Sequence, residues 1–156
     1  IKVAQVVAEE FGIDASAVRI TATTTGKVPN TSATAASSGA DLNGMAAKQA
    51  AATIKNRLID FAAKQWKVPK NRIRFEDGQV LIGNRSIAFG DLARQAHIAR
   101  ISLSSTGYYA TPKITWDRAK AKGRPFFYFA YGAACSEVII DTLTGENRIL
   151  RADILH

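Results

Sequence analysis

The stretch Val28-Pro-Asn-Thr-Ser-Ala-Thr-Ala-Ala-Ser-Ser-Gly-Ala-Asp-Leu-Asn-Gly44 opens with a proline and then runs for a dozen residues without one large side chain. Its chemistry is that of hydroxyls, one carboxylate and exposed backbone. Ser37, Ser38 and Asp41 are all good N-cap types, and the first turn of a helix leaves several backbone N–H groups without internal partners. Such donors favour phosphate or another anion. With only Ala35, Ala36, Ser37, Ser38, Gly39 and Ala40 in front of them, no side chain blocks a large ligand from the backbone. The same composition also suits a capped helix whose alanines and serines only pack closely against a neighbouring strand. The loop lacks G-x-G-x-x-G and G-x-x-x-x-G-K-[ST], so neither dinucleotide nor P-loop chemistry is indicated.

Other reactive side chains are sparse. His97 falls in a predicted helix and His156 is terminal, so no Ser-His-Asp or Cys-His arrangement forms, and both histidines read as structural. Cys135 follows Ala133-Ala134 and reads as a small buried thiol rather than a nucleophile. Metal-ligand spacing is absent, and no residue is assigned a catalytic or metal-binding role.

The elements that must position the loop follow from periodicity. Val3, Val6, Val7 and Phe11 stand at helical spacing over residues 2–12, with Gly12 as the C-terminal cap. Arg19-Ile-Thr-Ala-Thr-Thr-Thr25 has strand composition. From about Ala40 to Trp66 a long helix is predicted, with Ala47, Ala50, Ala51, Ile54, Leu58, Phe61 and Ala62 on one stripe and Lys48, Lys55, Arg57 and Lys64 largely opposite. The small-residue stretch is therefore a strand-to-helix loop. Arg72–Phe75 and Gln79–Ile82 read as a hairpin around Asp77-Gly78, and a turn at Gly83-Asn84 leads to Ser86–Phe89. Gly90–Ala99 is predicted as a helix carrying Leu92, Ala93 and Ala96 inward. Ile101–Tyr109 reads as extended, residues 117–125 as a basic loop, and Phe126–Tyr131, Glu137–Asp141 and Asn147–Leu155 as strands, with a hairpin loop at Thr142–Asn147. Helices mixed with hairpins indicate an α+β fold, with strands and hairpins packed on one long helix.

At 156 residues the chain is expected to form one compact unit over 1–156. A hydrophobic fraction of 47% with 22% charged residues is ordinary for a soluble globular chain. No apolar run approaches the roughly 18 residues a membrane span needs, so no membrane partner is expected. The start Ile1-Lys-Val does not read as a signal peptide, which suggests a fragment or a processed chain. A single cysteine excludes an internal disulfide and fits a reducing, cytoplasmic setting. The net charge of +8 would suit a basic module for nucleic acid or another polyanion, and this is the alternative function. Its distribution speaks against that reading. Lys64, Lys67, Lys70, Arg72 and Arg74 form one group and Arg118, Lys120, Lys122 and Arg124 another, neither interleaved with aromatics that would stack on bases.

Three motifs then carry a family resemblance. Lys27–Gly44, Thr106-Gly-Tyr-Tyr-Ala-Thr-Pro112 and Pro125-Phe-Phe-Tyr-Phe-Ala-Tyr-Gly-Ala-Ala-Cys-Ser-Glu-Val138 closely resemble, in order and spacing, the molybdenum-binding part of xanthine dehydrogenases. Asp141–Glu146 is similar to the family's hairpin near the end of that part. The resemblance implies hydroxylation of a purine at a molybdenum centre held on a pterin dithiolene, with water as the oxygen source. Electrons would leave through iron–sulfur clusters and FAD, on other domains or subunits, to NAD. It implies that Ala35, Ala36, Ser37 and Ser38 line the cofactor, with Ala35 and Ala36 also lining the substrate. Because the family holds its metal through cofactor sulfurs and oxo-type ligands, it also accounts for the missing His/Cys spacing. Some relatives carry alanine where this chain has Ser38 and serine where it has Gly39. The family's Gly-Gln-Gly cofactor loop would fall before Ile1 and its catalytic glutamate after His156. The chain is thus expected to be a catalytically incomplete part of the molybdopterin-binding subunit of a bacterial-type xanthine dehydrogenase. Its partners would be a purine, the remainder of that subunit and the redox domains.

Overall fold

The computed structural model describes residues 1–22, 24, 26 and 37–156. Three helices, α1 (Lys2–Phe11), α2 (Gly44–Trp66) and α3 (Phe89–Ile98), are joined by small antiparallel sheets built from β1 (Ile73–Glu76), β2 (Gln79–Ile82), β3 (Arg85–Ala88), β4 (Thr115–Asp117), β5 (Lys122–Arg124), β6 (Ala133–Ile140) and β7 (Asn147–Leu155). The fold is α+β, as the mixture of periodicities indicates. The contacts group into two units, Ile1–Ala110 and Thr111–His156.

In the first unit the hydrophobic stripe of α2 dictates the packing. Leu58 and Ala62 are buried against Ile82 and Val80 of the three-stranded sheet and against Leu92 and Ala96 of α3. Each fully buried Leu or Ile contributes about 1.5–3 kcal/mol. The register Ile73↔Ile82, Phe75↔Val80 and Val80↔Ile87 puts one apolar face of the sheet on this core, and Arg74, Leu81 and Ser86 share the other. Phe89 lies between Phe11 and Phe75, with ring centroids 5.3 and 6.3 Å away. The predicted β-turn is present: Asp77 and Gly78 both have positive φ, 50° and 74°, the two-residue geometry that matches strand twist. Gly12 caps α1 at φ 59°. A side chain there would also lie 2.4 Å from the Phe75 carbonyl oxygen, so α1 approaches the sheet more closely than any other residue type allows.

Several expectations are corrected. Arg19–Ala22 and Thr24 belong to no strand, since none of the sheets offers them a partner and Ile20 is exposed; residues 23 and 25 lie outside the described residues. Ile101–Tyr109, read as extended, forms neither helix nor sheet ladder. In the second unit the basic segment 117–125 contains the β4–β5 hairpin rather than loop alone, closed by Asp117 Oδ1 accepting from the N–H groups of Ala119 and Lys120. Phe126–Tyr131 is not a strand: its aromatic composition matches strand propensity, but no neighbouring strand supplies a ladder, and Phe126 and Phe129 stack edge to face at 5.9 Å instead.

β6 and β7 form a long hairpin around Asp141–Glu146, where Asp141 Oδ1 accepts from Leu143 and Thr144 and Gly145 takes φ 77°. Cys135 is exposed on β6, not buried, because no layer within the unit covers that strand.

Candidate functional site

The site begins at the entrance to α2. Ser37 is exposed and Ser38 half-buried at the N-cap of a five-residue π-helical turn, Gly39–Asn43, that runs directly into the α-helix. The first helical bond there is the Leu42 N–H donating to the Ser38 carbonyl at 3.0 Å. Short π turns inside helices recur at functional positions. Asp41 in the same turn complements the positive end of the helix. Ala35 and Ala36 lie outside the described residues.

Two other elements hold this entrance. α1 packs on the first turn of α2, where the buried Gly44 comes so near Val6 that an added Cβ would make van der Waals contact with its Cγ2 at 3.6 Å. Gly107 of the Thr106–Pro112 motif meets the same helix. A Cβ on Gly107 would fall 1.9 Å from the carbonyl oxygen of Ala46 and 2.9 Å from the Ala50 nitrogen, so only glycine lets this segment lie against the helix backbone. Motifs about seventy residues apart in sequence are thus brought onto the first turns of one helix.

The segment leading to Gly107 is tethered by Arg57. Its Nη1 donates to the carbonyl oxygens of Ser102 (3.1 Å) and Ser104 (2.8 Å) and to the Ser102 hydroxyl (3.2 Å). The amphipathic pattern assigns Arg57 only to the polar side of α2. Nothing in the local sequence signals its role, because its acceptors are 45 and 47 residues away.

The remaining candidates do not assemble into a second centre. Among the described residues no group of three or more His, Cys, Asp and Glu side chains could hold a metal ion. His97 is exposed in the last turn of α3. The basic groups are partly neutralised: Lys70 pairs with Asp60, Arg74 with Glu76 and Lys120 with Asp117. One carboxyl group has a displaced titration. The Ser16 side chain and then the Ser16 backbone N–H, which donates at 2.7 Å, hold Asp14 below its ordinary value. Asp14 caps a single 3-10 turn and is remote in role from the α2 entrance.

The chain matches the molybdopterin cofactor-binding domain over residues 1–156. It is 41% identical to mouse xanthine dehydrogenase/oxidase over 154 residues, and 40% identical both to Dictyostelium discoideum xanthine dehydrogenase over 157 residues and to rabbit aldehyde oxidase 1 over 156. Each comparison covers 99% of this chain, which spans about 10% of the length of those relatives. Its fold is similar to quinoline 2-oxidoreductase from Pseudomonas putida 86, with a TM-score of 0.71 and 22% identity over 98% of this chain and 19% of that one. On the match along its whole length, the chain belongs to the molybdopterin cofactor-binding domain family.

Proposed function

We propose that this chain is part of a cytoplasmic xanthine dehydrogenase that oxidises hypoxanthine and xanthine towards urate, and that Ala35, Ala36, Ser37 and Ser38 line its molybdenum cofactor. The observation that carries this reading is the α2 entrance. Two motifs on which the resemblance rests meet there on one helix terminus, and the chain as a whole is about 40% identical to xanthine dehydrogenases. The residues present fit the group. A pterin with a phosphate-bearing tail needs hydrogen-bond donors without bulk, and Ser37, Ser38 and the first-turn N–H groups offer that donor set.

When bound, the cofactor supplies the two-electron oxidation and the activated oxygen. The chain's own residues bind and orient. Ser37, Ser38 and the backbone of Gly39 and Ala40 would hold polar atoms of the cofactor, while Ala35 and Ala36 would leave a flat slot for the purine. Gly107 and Arg57 fix the neighbouring segment. The proton-transfer base would come from outside this chain, as would the iron–sulfur clusters and FAD. The chain alone would therefore be inactive.

Ala36→Val in the full-length enzyme tests the reading. Overpacking a close contact costs ~1–3 kcal/mol, which in a transition state is roughly a ten- to hundredfold loss in kcat/KM. We expect that loss for xanthine, with molybdenum content and melting temperature unchanged. A lowered melting temperature with normal turnover per molybdenum would assign Ala36 to packing alone. Faster turnover of an aromatic aldehyde than of xanthine by the wild-type enzyme would replace the purine with an aldehyde.

A further inference from the structure

We propose that the cavity between the C-terminal half of α2 and the chain leaving α3 binds a small amphipathic organic anion, an apolar ring or short chain bearing one carboxylate. The cavity measures about 720 Å³, within the roughly 300–1,000 Å³ of small-molecule sites. It uses no residue of the Ser37–Ser38 loop, and shares with the proposed cofactor entrance only Arg57 and Ser102 of the clamp.

Its lining has two chemistries. Phe61 and Ile101 are half-buried, packed against the core, and present an apolar floor. Around that floor stand Arg57, Lys64 and Arg100. Among the described residues none of these three cations forms an ion pair. Arg57 is half-buried, and the acceptors on its Nη1 are two carbonyls and a hydroxyl, so its hydrogen bonds are met while its charge is not. A partly desolvated cation without a counter-ion favours an incoming anion. The one carboxylate in the lining, Asp60, is occupied by Lys70 at 2.5 Å.

The rim is also held in place. α3 ends with the Ile101 N–H donating to the Ala96 carbonyl and the Arg100 N–H to the His97 carbonyl, both at 2.9 Å. That pair of bonds is the closure usually reserved for glycine, yet the residue at φ 61° is Arg100. The closure presents Arg100 from a fixed backbone and turns Ile101 inward to the floor. An apolar floor is poorly matched to inorganic phosphate or a polyphosphate, and a neutral hydrocarbon would leave the Arg57 charge uncompensated. A planar carboxylate on an apolar body satisfies both, since guanidinium and carboxylate pair edge to edge.

The test uses the full-length enzyme and two isosteric probes, 4-(trifluoromethyl)benzoate and the neutral 4-(trifluoromethyl)benzamide, titrated by fluorine NMR. Saturable binding of the carboxylate, much tighter than of the amide, is expected. Lys64→Gln combined with Arg100→Gln removes two exposed charges and should weaken carboxylate binding at least about tenfold, with melting temperature and xanthine turnover unchanged. Arg94→Gln, which removes an exposed arginine paired with Asp91 elsewhere on α3, should leave it unaltered. The proposal is overturned if the wild-type enzyme shows no saturable carboxylate binding or binds the amide equally well. It is also overturned if the double variant binds the carboxylate as wild type does, or if Arg94→Gln weakens binding as much as the double variant.

Discussion

At the scale of single residues, the glycines separate two physical demands that composition cannot tell apart. Gly78 has φ 74° and open space where a Cβ would go, so Gly78→Ala should cost only the left-handed backbone penalty, about 1–2 kcal/mol. Gly107 has the reverse problem. Its Cβ would penetrate the backbone of Ala46, and Gly107→Ala should destabilise by about 1–3 kcal/mol or more and displace the segment beside the α2 entrance. On the proposed function, xanthine turnover per molybdenum in the full-length protein should fall for Gly107→Ala and hold for Gly78→Ala. Equal turnover in the two would mean that the contact on α2 does not position the site. Asp14 gives a pH-dependent counterpart. Its pKa is lower folded than unfolded, so its stabilising effect is present above the unfolded value and is lost as pH falls through the folded one. Asp14→Ala should lower the melting temperature at pH 7, and the gap from wild type should narrow as pH falls below the ordinary carboxylate range.

At the scale of elements, α2 does three things with two faces, since Ala46, Ala50 and Arg57 fall on one side of the helix and Leu58 and Ala62 on another. It buries Leu58 and Ala62, accepts Gly107 against its backbone, and clamps residues 102–104 through Arg57. The clamp is the least replaceable by chemistry of similar size. Arg57→Met keeps the apolar stem but leaves the Ser102 and Ser104 carbonyls without their donor, a loss of about 1–3 kcal/mol. Hydrogen exchange of the full-length enzyme should then show faster exchange over residues 101–107 and no change over Lys2–Phe11. Unaltered exchange at 101–107 would show that the segment is held without the arginine.

At the scale of the whole molecule, the β6–β7 hairpin stands out. A register shift between Glu137 and Val138 inserts one extra residue into β7. It places Val138, Ile140, Ile149 and Ile154 on one face, although Ile149 and Ile154 would otherwise point to opposite sides. That face is uncovered here, with Ile149 66% and Ile154 79% exposed. An isolated two-stranded ribbon is marginal in water, and the chain spans about a tenth of its relatives' length. We expect the remainder of the full-length protein to cover this face. Ile149→Lys should lower the melting temperature of the full-length enzyme by several degrees, whereas Arg148→Lys, opposite Ile139 on the other face, should not. A neutral Ile149→Lys would place the face in solvent.

The sequence by itself determined what depends on near neighbours. The 3.6 period of Leu58, Phe61 and Ala62, the cap at Gly12, the Asp77-Gly78 turn and the loop at Asp141–Glu146 need only local backbone preferences, and all are present. The start of α2 was legible for the same reason, since Ser38 and Gly39 suit a helix start, while residues 27–36 of the small-residue loop lie outside the described residues. Tertiary structure alone decided what needs a distant partner. Residues 19–22 and 126–131 have strand composition but no strand to pair with, and Cys135 has apolar neighbours in sequence but no covering layer. The convergence of Gly107 on Ala46, the Arg57 clamp and the cation-rimmed cavity all join residues tens of positions apart. Such pairings leave no periodic trace, because what selects them is the shape and charge of a surface that exists only once the chain has folded.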